Sequence, residues 1–266
     1  MDTQFAASSG SLIYARRTGV GPPVLAIHGL GGGAYFFSGL GPRLTDRVTL
    51  FAIDLPGTGR STAGRGGISM DAWVQDLGEF VAREVGRPAV LVGHSLGTII
   101  ALEAWRAWPE RIAGLVFAGG LPKARPEFHE RLSARAVAVR GQGSLDGWGP
   151  KISPGVFSPT TIADRCELVG LWERLLEAQD VEAYVRCIDV LLGASAESIV
   201  PSVTAASLSI SGVDDQYAPP ELVRAFMAQI PHGRTKVLDA CGHLPFLEQP
   251  EVFAALLGDF AAAQAP

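Results

Sequence analysis

Ser95 stands in the run Gly93-His94-Ser95-Leu96-Gly97, between an apolar stretch at residues 89–92 and a helical pattern at 98–108. Strand, G-x-S-x-G and helix in that order predict a sharp turn that holds a hydroxyl out at the carboxyl end of a sheet. Glycines on both sides remove the side chains that would collide in so tight a turn. Free serine is a poor nucleophile and needs a base. His243 is the candidate: it follows a strand-like run at 235–238 and lies in the loop Ala240-Cys241-Gly242-His243-Leu244-Pro245. Between serine and histidine, an apolar run at 206–211 leads into Gly212-Val213-Asp214-Asp215-Gln216-Tyr217-Ala218-Pro219. A carboxylate on that loop would fix the histidine tautomer and steady the imidazolium that forms during proton transfer. Asp214 and Asp215 are both in place to supply it. Acyl transfer also needs N–H groups aimed at the developing oxyanion. The Leu96 N–H opens a helix, where backbone donors lack intrahelical partners.

Four segments carry a family resemblance: His28-Gly29-Leu30-Gly31-Gly32-Gly33, Asp54-Leu55-Pro56-Gly57-Thr58-Gly59-Arg60-Ser61, the Ser95 turn, and the loops of Asp215 and His243. With the chain order Ser, Asp, His, they resemble the α/β-hydrolases with a cap domain over nearly the full length. The resemblance implies an acid three residues after a glycine and four before a proline. Gly212, Asp215 and Pro219 match, and Asp214 remains the weaker alternative. It implies a second oxyanion donor in the loop after the early strand at 24–27, the Leu30 N–H. A further pattern, Gly-His-x-x-x-Glu-x-Pro, is matched by Gly242, His243 and Pro250, with Glu248 shifted by one residue.

Other chemistries find less support. No stretch completes G-x-x-x-x-G-K-[ST] or G-x-G-x-x-G, so no nucleotide site is expected. The five histidines form no H-E-x-x-H and the three cysteines no C-x-x-C, so neither metal nor other cofactor is expected. His28 and His94 read as packing and loop-shaping residues, His129 and His232 as surface residues, and Asp54 as the organiser of its Pro-Gly turn. Cys166, Cys187 and Cys241 read as small apolar packers. A thiol reagent at Cys241 would nevertheless stand two residues from His243.

The 266 residues are 47% hydrophobic and 18% charged, enough for a sizeable core. The net charge is −5 and no Lys/Arg cluster appears, so the expected partner is a small-molecule substrate and not a nucleic acid. The first residues lack the basic and apolar regions of a signal peptide, and no apolar run approaches a membrane span. An odd cysteine count speaks against a disulfide framework and for a reducing, cytoplasmic location. Oligomeric state is not written in any of these features.

The elements that must position the site alternate. Strands are expected at 12–17, 24–27, 50–53, 89–92, 114–117, 208–211 and 236–238. Helices are expected at 70–85, 96–108, 221–230 and 250–263. Short apolar strands alternating with helices imply an α/β fold, a mostly parallel sheet covered on both faces. Its active loops lie at the carboxyl ends of the strands. The alternation stops between about 121 and 200, where only helical patterns appear, at 127–140, 162–178 and 181–192. Pro150, Pro154 and Pro159 punctuate the gap between the first two. The expected organisation is a core in two parts, 1–121 and 201–266, with an all-helical cap at 122–200. Trp148 and Phe157 are candidates for an apolar acyl pocket, whereas Trp172 reads as cap core. Arg131, Arg135 and Arg140 have the spacing of a solvated helix face. One of them turned inward would clamp a substrate carboxylate and favour a dicarboxylate lactone.

The functional expectation is a cofactor-free serine hydrolase. Ser95 attacks a small ester or lactone, His243 moves the proton, Asp215 orients His243, and the Leu30 and Leu96 N–H groups hold the oxyanion. The cap order and length resemble those of 3-oxoadipate enol-lactonases and related carboxylesterases, which implies an enol-lactone as the sharper substrate. Related families use the same three residues for carbon–carbon bond hydrolysis, perhydrolysis and acyl transfer. A ligand-binding homologue without turnover is the alternative of another class, and the complete set of three residues speaks against it.

Overall fold

A computed structural model describes residues 1–264. In chain order its elements are β1 (Asp2–Ala6), β2 (Leu12–Thr18), β3 (Pro23–Ile27), β4 (Thr49–Ile53), α1 (Met70–Phe80), β5 (Ala89–His94), α2 (Leu96–Ala107) and β6 (Ile112–Ala118). Five helices follow: α3 (Pro126–Gln142), α4 (Gly149–Val156), α5 (Pro159–Asp164), α6 (Cys166–Glu177) and α7 (Val181–Gly193). The chain then returns to β7 (Ser207–Gly212), α8 (Pro220–Met227), β8 (Gly233–Leu238), α9 (Pro245–Glu248) and α10 (Pro250–Ala263).

The eight strands form one sheet in the order β1-β2-β4-β3-β5-β6-β7-β8. The β1–β2 and β2–β4 pairs are antiparallel, and all the others are parallel. Period-two alternation divides the central strands between two cores. Val24, Ala26, Val90, Val92 and Val116 face the core that also takes Phe253, Leu257 and Phe260 of α10. Leu25, Ile27, Leu91, Leu115 and Phe117 face the one filled by Trp73 and Leu77 of α1, Ile99 and Ile100 of α2, and Phe226 of α8. β3, β4 and β5 are buried along their whole length, as expected of strands covered on both faces.

Several sequence expectations need correction. β1 was not anticipated: it is an edge strand in which only Phe5 is buried, so it carries no apolar run to read. The helical pattern at 162–178 is two helices. They break at Arg165 (φ −136°, ψ 48°), and the Ser158 hydroxyl caps the first by accepting from the Thr161 N–H at 3.1 Å. The proline-punctuated gap holds a helix of its own, α4. Pro150 sits in its first turn, where no N–H is needed, and Pro154 lies inside it. Its eight residues keep the cost of that internal proline local. Cys166 is exposed and not packed, because it starts α6 at that break.

Candidate active site

The turn at Ser95 has the strain that the motif demands. Ser95 adopts φ 51° and ψ −115°, a conformation an L-residue holds only when its surroundings enforce it. A Cβ on Gly93 would collide with the Gly97 carbonyl, and one on Gly97 with the Ile27 carbonyl on the neighbouring strand. The turn is braced by Thr98, whose hydroxyl donates to the Gly93 carbonyl at 3.0 Å. Among the described residues, neither the Leu96 nor the Leu30 backbone N–H donates to an acceptor within the protein.

The other two side chains arrive from the ends of β7 and β8. His243 Nδ1 lies 3.0 Å from both Asp215 carboxylate oxygens. Asp215 is buried, and its Oδ1 also accepts the Tyr217 and Ala218 N–H groups, each at 2.9 Å. Asp214 is half-buried, and its N–H donates to the Cys241 carbonyl at 2.9 Å; its carboxylate does not reach His243. The end of β6 makes room for the pair. A Cβ on Gly119, which has φ +53°, would sit 2.7 Å from the His243 carbonyl and 3.0 Å from Asp215 Oδ2. Gly119 was not picked out from sequence; its only signal there is a second glycine, Gly120, directly after an apolar strand.

Glu248 has a larger role than its place in a motif suggested. It is buried on α9. Its Oε1 accepts the N–H groups of Gly242 (2.9 Å) and Leu244 (3.3 Å), the two residues flanking His243. Its Oε2 accepts the Ser158 N–H (2.9 Å) and the Thr161 hydroxyl (2.8 Å) from the inserted helices. The His243 N–H itself donates to the Val156 carbonyl at 2.7 Å. One carboxylate thus ties the histidine loop to the α4–α5 connection.

The remaining histidines and the nearby thiol are structural. His28 Nε2 accepts the Leu55 N–H at 3.0 Å, which leaves its Nδ1 beside the Gly29 carbonyl at 2.8 Å. His94 Nε2 lies 3.1 Å from the His243 carbonyl. Burial lowers the pKa of both, and a charge on His243 lowers that of His94 further. Asp54 organises its turn, accepting the N–H groups of Ala34 (2.6 Å) and Arg60 (2.9 Å). Burial, with the Glu248 and Asp215 charges behind it, raises the Cys241 thiol pKa and keeps it protonated. His129 and His232 are exposed.

Two adjoining cavities, of about 60 and 70 Å³, open on Ser95 and His243. Both are also lined by Tyr217, Leu132 and Leu191. The first runs along Leu96 and Gly119 toward Phe128; the second runs under Leu30 toward Trp172, Tyr184 and Arg135. The sequence reading of the aromatic residues is reversed here. Trp172 lines the second cavity, whereas Phe157 is buried behind it, edge-on at 5.6 Å. Trp148 lines neither cavity and lies under Lys151, whose ammonium is 4.7 Å from the ring. Arg131 and Arg140 are solvent-exposed as a helix face should be, but Arg135 is only 8% exposed and points into the second cavity. Its register on α3 explains the difference: Leu132, Ala136 and Val139 form the buried stripe, and Arg135 stands within it. Among the described residues no group of three or more His, Cys, Asp or Glu side chains is arranged to hold a metal ion.

The alpha/beta hydrolase family matches residues 24–256, which span every strand from β3 onward and all the residues above. The chain belongs to the alpha/beta hydrolase family. Its relatives include the pimeloyl-[acyl-carrier protein] methyl ester esterase of Methylococcus capsulatus. That relative is 30% identical over 268 aligned positions, covering 94% of this chain and 99% of the relative. The enzyme of the same name from Stenotrophomonas maltophilia is 30% identical over 263 positions, covering 94% and 96%. Solved structures that share the fold include an esterase and an enol-lactonase. A thermophilic esterase from Thermogutta terrifontis superposes with a TM-score of 0.91 at 24% identity over the whole of both chains. The enol-lactonase from Burkholderia xenovorans superposes with a TM-score of 0.89 at 19% identity, over 98% of this chain and all of the other.

Proposed function

We propose that this alpha/beta hydrolase cleaves a small carboxylic ester or lactone through an acyl-enzyme on Ser95, beneath a helical cap formed by residues 122–200. The observation that carries the reading is the convergence, on one pair of cavities, of a strained serine and a histidine whose far nitrogen is held by a buried carboxylate. His243 takes the Ser95 proton as Oγ attacks the carbonyl carbon, and the oxyanion that forms is met by the Leu30 and Leu96 N–H groups. The imidazolium, steadied by Asp215, returns the proton to the leaving alkoxide, which departs as the alcohol. Water, deprotonated by the same histidine, then attacks the acyl carbon; the bond to Ser95 Oγ breaks, the imidazolium returns the proton to that oxygen, and the acid leaves. In a lactone the alcohol stays attached to the acyl chain, and the product is one hydroxy acid. The relatives' activity, methyl ester hydrolysis by name, supports an ester substrate.

The unpaired cysteines fit a cytoplasmic setting. Cys166 is an exposed free thiol, and Cys187, whose pKa burial raises to about 12, is a buried one. No helix among the described residues is long and apolar enough to cross a membrane.

The direct test is a p-nitrophenyl ester series, acetate through decanoate, with wild type and Ser95→Ala. Turnover by wild type that is lost in a folded variant supports the serine mechanism, and the chain-length optimum measures the acyl space. Equal turnover by both proteins would refute it.

A further inference from the structure

Arg135 is a buried cation with no carboxylate opposite it. Among the described residues, no Asp or Glu oxygen lies within 4.0 Å of its guanidinium. Its Nη1 donates to the Tyr184 hydroxyl on α7, at 3.2 Å. Tyr184 in turn is 3% exposed and, among the described residues, its hydroxyl donates to no acceptor. The walls around the pair are apolar: Leu132, Ile152, Trp172 and Leu176. The same cavity reaches Ser95 and His243.

An arginine in such a place is costly unless something meets its charge. Burial acts to lower its pKa, but the Tyr184 and Tyr217 hydroxyls outweigh that and the net direction is upward, so the guanidinium stays charged. The other cations beside the reacting serine are already occupied. Lys123 is 2.7 Å from Glu197, and Arg125 donates to the Gln216 carbonyl at 2.9 Å and lies 3.6 Å from Glu127. Arg135 alone brings an unpaired fork of donors into the cavity.

Resting on the acyl-enzyme reading above, we infer that Arg135 and Tyr184 form a carboxylate subsite, and that the substrate is an ester or lactone carrying a second, free carboxylate remote from the scissile bond. The guanidinium supplies parallel N–H donors and Tyr184 an O–H donor, the set that a carboxylate accepts. A single negative charge neutralises the single cation; a phosphate dianion would leave an excess charge in an apolar cavity. The substrate's carboxylate would complete the pair.

The test compares mono-p-nitrophenyl glutarate with p-nitrophenyl pentanoate, which differ chiefly by a carboxylate in place of a methyl group. The readout is the ratio of their kcat/KM values in wild type, Arg135→Met, Arg135→Lys and Tyr184→Phe. The expected result is that Arg135→Met lowers the ratio by about 10- to 100-fold, mainly through KM for the glutarate, with Lys restoring part of it and Tyr184→Phe lowering it less. A ratio unchanged in Arg135→Met would overturn the inference, because an arginine that only braces α3 against α7 would affect both esters alike. If wild type hydrolyses neither ester, the ester reading fails separately. Calorimetric titration with glutarate then decides the subsite: binding that Arg135→Met and Tyr184→Phe weaken supports it, and absence of binding to wild type rules it out.

Discussion

At the scale of single residues, the two adjacent aspartates offer the sharpest test of the site. They differ by one position in sequence, yet only Asp215 is buried and bonded to His243 Nδ1, while Asp214 turns its side chain elsewhere. Asp215→Asn keeps the shape but replaces a charge with an amide, which favours the wrong imidazole tautomer and withdraws support from the imidazolium. The expected loss in kcat is about 10²- to 10⁴-fold. Asp214→Asn should stay within about threefold of wild type, because its carboxylate makes no contact with the histidine. Steady-state kinetics on whichever p-nitrophenyl ester turns over best would read both. A larger loss in the Asp214 variant would mean that the loop reorganises in solution. The resemblance to the α/β-hydrolases already pointed to Asp215, through the spacing from Gly212 and Pro219 that it implies. Nothing comparable singled out Arg135. Its neighbours three and four positions away are Arg131, Leu132, Ala138 and Val139, a mixture of one charged and three apolar residues that does not mark Arg135 as inward, and its place in the buried stripe is visible only once α7 is packed against α3.

At the scale of elements, legibility follows the physics that fixes each one. β3, β5 and the turn at Ser95 could be read because an apolar run, a pair of obligatory glycines and a helix pattern agree locally. β1 escaped because an edge strand needs few apolar residues, and α4 because prolines that stop a long helix are tolerated in a short one. The link between the histidine loop and the inserted helices was also out of reach, since it depends on residues about 90 positions apart: Glu248 accepts from Ser158 at a separation of 90. Two of its other partners flank His243. Glu248→Ala would leave buried N–H donors on both sides of that link unsatisfied, at a cost of roughly 3 kcal/mol or more in folding stability. Turnover should fall with it, as His243 loses its fixed position, whereas Glu248→Gln, which can still accept through its amide oxygen, should recover part of each. Urea unfolding alongside kinetics would distinguish this from a loop held by packing alone. In that case alanine and glutamine would cost the same.

At the scale of the whole molecule, the buried histidines make folding stability depend on pH in a definite direction. His28 and His94 are both enclosed between the sheet and its loops, and burial lowers their pKa from the ordinary value of 6.5. In the unfolded chain each takes up a proton as pH falls through about 6.5, while the folded protein resists. The unfolded state then binds more protons, so the stabilising contribution is complete above that value and is lost as pH falls below it. Each histidine contributes a slope of at most about 1.4 kcal/mol per pH unit. Carboxylates also lose stabilising contacts at lower pH, as at Asp2, whose pKa its hydrogen bond to Arg16 lowers to about 2, so their effect is felt mainly at lower pH than that of the histidines. The expected result is a fall in unfolding free energy between pH 7 and pH 5. His94→Gln, which cannot titrate, should flatten part of that fall even if it is less stable at pH 7. Denaturant unfolding of both proteins at half-unit steps across that range would measure it. Parallel curves for wild type and variant would show that His94 is protonated in the folded protein as readily as in the unfolded one. That outcome would contradict its enclosure beneath Phe36 and Phe246, whose rings stand 5.8 and 5.0 Å from it.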